Sequence, residues 1–129
     1  MITEDYVSFE TSKLLKEKGF DVPCLAHWFI GTDRTFSISN TSQNWNEIKT
    51  DLDWLSCPTH QMAMKWLREV HKILILVEYD CIVFSSDIYK MDEVDEYGNA
   101  KHIPPTFANC KNYEQACEAA LKYCLENLI

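Results

Sequence analysis

Between Pro58 and Tyr79 the hydrophobic period of the chain changes from one helical turn to two residues. The apolar positions Met62, Ala63, Trp66, Leu67 and Val70 recur at helical spacing, with Lys65, Arg68, Glu69 and Lys72 on the opposite side. At Ile73 the pattern switches: Ile73, Ile75 and Val77 alternate with Leu74, Leu76 and Glu78, as a pleated strand requires. A helix running straight into a strand needs both packed on a common core. That places the chain in the α+β class.

The flanking segments follow the same logic. A first helix is expected from about Ser8 to Lys18, with Ser8 as N-cap and Gly19 as its stop. Leu25 to Ile30 and Thr35 to Ser39 read as strands around a turn at Gly31-Thr32-Asp33. The spacing of Trp45, Ile48, Leu52 and Leu55 suits a short helix or an irregular lobe closed by Pro58. Ile82 to Met91 should return antiparallel to the strand before it, and Asp95 to Asn99 has hairpin-turn chemistry. A short edge strand at Lys101 to Ile103 should end at Pro104-Pro105. The last helix is expected from about Tyr113 to Leu128, with Asn112 and Gln115 approximating a capping box. The predicted order is α-β-β-α-β-β-α. It is an antiparallel sheet of four to five strands with three main helices, in two layers and one domain, 1–129.

With 129 residues, 47% of them hydrophobic, the chain can bury a core without metal or disulfide help. Its formal net charge of -8 opposes a phosphate-binding surface, whose affinity comes mainly from Lys and Arg. No apolar run approaches the ~18 residues of a membrane helix. The start, Met1 to Asp5, is acidic where a secretory leader would be basic. A cytoplasmic location is expected, and the six cysteines are expected to be free thiols.

Two Cys-x-x-His pairs, Cys24/His27 and Cys57/His60, supply the residue types of a tetrahedral zinc set. The 29 residues between the pairs are far from zinc-finger spacing. A Cys/His catalytic dyad is a related alternative, although no flanking pattern selects one. Only three glycines are present, with neither a phosphate-cradling loop nor a nucleophile elbow. A reading without cofactor follows.

Recognition of another protein has two sequence candidates. Trp45 and Trp54 lie in a polar stretch, where exposed indoles make good anchors; the competing reading tucks them back over the sheet. Asp92, Glu93, Asp95 and Glu96 form an acidic cluster, either a solvated edge or a patch for a basic partner. The sequence leaves a homodimer open.

The stretches Tyr6 to Phe20, Pro58 to His71 and Tyr113 to Ile129 resemble a group of small proteins of gut bacteria and their phages or prophages, to which no activity is assigned. The resemblance covers the three helices and is silent on Leu25 to Cys57. It implies a phage-linked accessory role and supplies no catalytic residues. Its pattern does not require a histidine at position 60. A non-enzymatic protein-binding module is therefore the expected function, with a zinc- or thiol-dependent protein as the alternative.

Overall fold

In the computed structural model, which describes residues 2–50 and 53–129, the Ser8 hydroxyl accepts the Thr11 N–H and opens helix α1, Phe9–Glu17. Gly19, at φ +85°, turns the chain out of it, and the Phe20 N–H closes back on the Leu15 carbonyl. Strand β1 (Cys24–Ile30) follows, then β2 (Arg34–Gln43), a single 3-10 turn at Trp45–Glu47 and β3 (Asp53–Ser56). After these come α2 (His60–His71), β4 (Ile73–Asp80), β5 (Val83–Val94), β6 (Ala100–Cys110) and α3 (Tyr113–Asn127).

The fold is α+β with three helices, as expected, but its strands form two antiparallel three-stranded sheets in place of one sheet of four to five. The order is α-β-β-β-α-β-β-β-α. The chain divides into two compact units, Met1–Thr59 and His60–Ile129, each with its own sheet.

In the first unit the sheet order is β2-β1-β3. Side chains alternate across it: Trp28 lies opposite Phe36 and Leu55, and His27 opposite Ser37 and Ser56. The Trp28 face meets α1, where Phe9 packs edge-on to Trp28 at 5.3 Å. Val7 donates to the Pro58 carbonyl and Tyr6 bridges Thr59, tying the two ends of this unit together. Leu15, Phe20, Cys24, Ala26, Leu55 and Cys57 are buried.

In the second unit β4, β5 and β6 form a meander. Its core is Ile73, Ile75 and Ile88 of the sheet with Ala116, Cys117, Ala120, Leu121, Cys124 and Leu125 of α3. The Asn112 side chain accepts the Gln115 N–H as the cap of α3, as the sequence pattern expects. The buried α2 positions are His60, Ala63, Met64, Trp66 and Leu67, while Val70 is exposed. The helix is thus rotated toward Met64 relative to the expected stripe.

Two segments depart from the sequence expectation. The segment from Trp45 to Leu55, expected as a short helix or an irregular lobe, is one 3-10 turn followed by β3; its Asp51 and Leu52 lie outside the described residues. The Asn44 side chain accepts the Asn46 N–H and starts that turn, and β3 then finds β1 as a partner, so sheet pairing overrides helical spacing. Strand β6 also runs through Pro104 and Pro105 instead of stopping before them. It is an edge strand, and both prolines fall in the register irregularity between Ile103 and Phe107, where the ladder with β5 is interrupted.

Candidate functional site

In the first unit the His27 face of the sheet is covered by an aromatic cluster. Trp45, carried by the 3-10 turn, stacks on the His27 ring at 3.8 Å, and its indole N–H donates to the Cys24 carbonyl at 2.7 Å. Trp54 of β3 stands beside both, 5.4 Å from His27 and 5.7 Å from Trp45, with Phe29 at 4.7 Å. Burial holds the His27 imidazole below its ordinary value, so the ring is neutral at pH 7.

Asn46 fixes the turn to the sheet. Its amide NH2 donates to the Phe20 carbonyl at 2.9 Å, and its oxygen accepts the Ser56 N–H at 2.9 Å. The Ser56 hydroxyl in turn accepts the Trp45 N–H. Trp45 is therefore a structural lid with only 5% of its surface exposed, and it is unavailable to anchor a partner. Trp54 is half-buried, its indole N–H donating to Thr50.

The two Cys-x-x-His pairs do not assemble. Among the described residues, no three His, Cys, Asp or Glu side chains are grouped so as to hold a metal ion. Each member of the quartet has another occupation. Cys24 and Cys57 are buried and donate their S–H to the Val22 and Val7 carbonyls, each at 3.3 Å. Burial, reinforced by the neighbouring Cys57, pushes the Cys24 thiol up to about 12, so it is protonated at neutral pH. His27 is stacked under Trp45, and His60 pairs with Glu118 of α3 at 2.7 Å. Among the described residues these four side chains therefore do not gather into a zinc set.

Sequence reasoning passed over three further groups. A cleft of about 430 Å³ between α1 and β3 is lined by Lys13, Lys16, Glu17, Ile30, Asp53 and Leu55. Lys16 reaches across it to the Trp54 carbonyl at 3.1 Å. On the second sheet, one oxygen of Asp87 accepts from Thr106 and pairs with His102 at 3.0 Å. Since the hydroxyl and the imidazole share one acceptor, neither activates the other, and the group is a cross-strand clasp. Finally, Gln61 donates to the Tyr113 hydroxyl at 2.9 Å, and burial raises the Tyr113 pKa. Only the alternation of β5 and β6 could have pointed to the Asp87 clasp. The other two groups depend on how helices meet, which has no local signature.

The acidic cluster lies where β5 and β6 run beyond β4. Strand β4 pairs with β5 only as far as Lys90, so Asp92 to Asn99 continue as a ribbon with no third strand beside it among the described residues. Here the acids are employed locally. Asp92 faces Lys90 at 3.8 Å and Glu93 faces Lys101 at 3.4 Å. The Asp95 carboxylate accepts the N–H groups of Tyr97 and Asn99, each at 2.9 Å, which shapes the turn. Around these acids stand exposed apolar groups: Tyr97 is 80% exposed, Val94 68%, and Met91 is open as well.

Compared with models of protein families, with curated proteins and with solved structures, the chain matches none. No helix among the described residues is long and apolar enough to cross a membrane.

Proposed function

We propose that this chain is a non-enzymatic, phage-associated accessory protein of the cytoplasm that binds another protein through the free end of the β5–β6 hairpin. One observation carries the reading. Val94 and Tyr97 stand mostly in solvent, at 68% and 80% exposure, on a two-stranded ribbon. A lone ribbon gains no stability from such side chains, and clustered exposed apolar groups mark interaction surfaces. Asp92, Glu93, Asp95 and Glu96 flank them along the chain, so the fitting partner offers an apolar recess rimmed by Lys or Arg. This revises the sequence expectation in one respect: the anchors are Val94 and Tyr97 in place of Trp45 and Trp54, with the acids as their rim.

The test is affinity capture from host cells with the native chain beside a Val94→Asp/Tyr97→Ala double variant. The reading requires a protein retained by the native chain and lost by the variant, with both chains giving the same far-UV spectrum. Equal recovery from both would exclude the hairpin as the docking element.

A further inference from the structure

We draw no further inference here: the strongest candidate, the cleft between α1 and β3 lined by Ile30 and Leu55, is rimmed by the exposed charges of Lys13, Glu17 and Asp53, which are of both signs, and nothing in the structure selects the chemistry of an occupant.

Discussion

The two sheets of this chain have equal strand numbers but are held together differently. The first is stapled by polar side chains: Asn46 alone joins the 3-10 turn to Phe20 and Ser56, Trp45 reaches the Cys24 carbonyl, and Lys16 the Trp54 carbonyl. The second rests on an apolar helix face, where Ala116, Cys117, Ala120, Leu121, Cys124 and Leu125 of α3 are all fully buried. There the buried Ser86 hydroxyl, donating to the Ala116 carbonyl, is a polar link between sheet and helix. A short strand such as β3 has little apolar surface to contribute, so directional bonds place it. Long strands under a helix can rely on area instead.

Substitutions can break this contrast. The largest effect is expected from Leu121→Ala, which empties a fully buried site in the second unit and should cost ~2–5 kcal/mol by chemical denaturation. Hydrogen exchange should accelerate most in β5, and an unaffected β5 would refute the apolar account of that sheet. Asn46→Ala should cost ~1–3 kcal/mol, because it leaves the Phe20 carbonyl and the Ser56 N–H without their partner. Here the faster-exchanging amides should be those of β1 and β3. If Asn46→Ala proves neutral, the polar staple is not what holds the first sheet.

A smaller effect is expected from acid. His27 is held below its ordinary value by burial, so the unfolded chain takes up a proton more readily than the folded one. The stability this gives is complete above about pH 6.5 and is lost as pH falls through the lower folded value. His71, lowered by burial and by Lys90, acts in the same direction within the second unit. His27→Phe should therefore flatten the acid limb of the stability curve for β1 and β3 while leaving that for β4 and β5 in place. A limb unchanged in both units would assign the acid sensitivity elsewhere. Smallest of all, Tyr97→Ala should change stability by less than ~0.5 kcal/mol, because its ring is almost wholly in solvent. A larger loss would mean that the hairpin end is part of the core.

The sequence is readable where structure is local. Ser8 and Asn112 cap the helices assigned to them, the switch from helix to strand between His71 and Ile73 stands where the period changes, and Asp95 to Asn99 form the turn. It is misleading where the partner is distant. Trp45, Ile48 and Leu55 have helical spacing, yet Leu55 belongs to a strand because Trp28 lies across from it. Pro104 and Pro105 would end a central strand but are harmless at an edge, and edge position is a property of the whole sheet. For the same reason Cys24, His27, Cys57 and His60 match a ligand pattern in the sequence and share no site in the fold. Of the recognition candidates, the acidic segment is where exposure was expected. The exposure of Val94 and Tyr97 beside it follows from β4 being shorter than the hairpin it pairs with.

The double acceptance at Asp95 bears on how fast the hairpin end would engage the partner proposed for it. Because the carboxylate already ties down the N–H groups of Tyr97 and Asn99, the phenol is presented from a preset backbone. Little conformational freedom remains to be surrendered on contact, and loop ordering is one of the main costs of association. Encounter should then proceed as a single docking step without a slow rearrangement, and Asp95→Ala should lengthen the approach while leaving the contact surface itself unchanged.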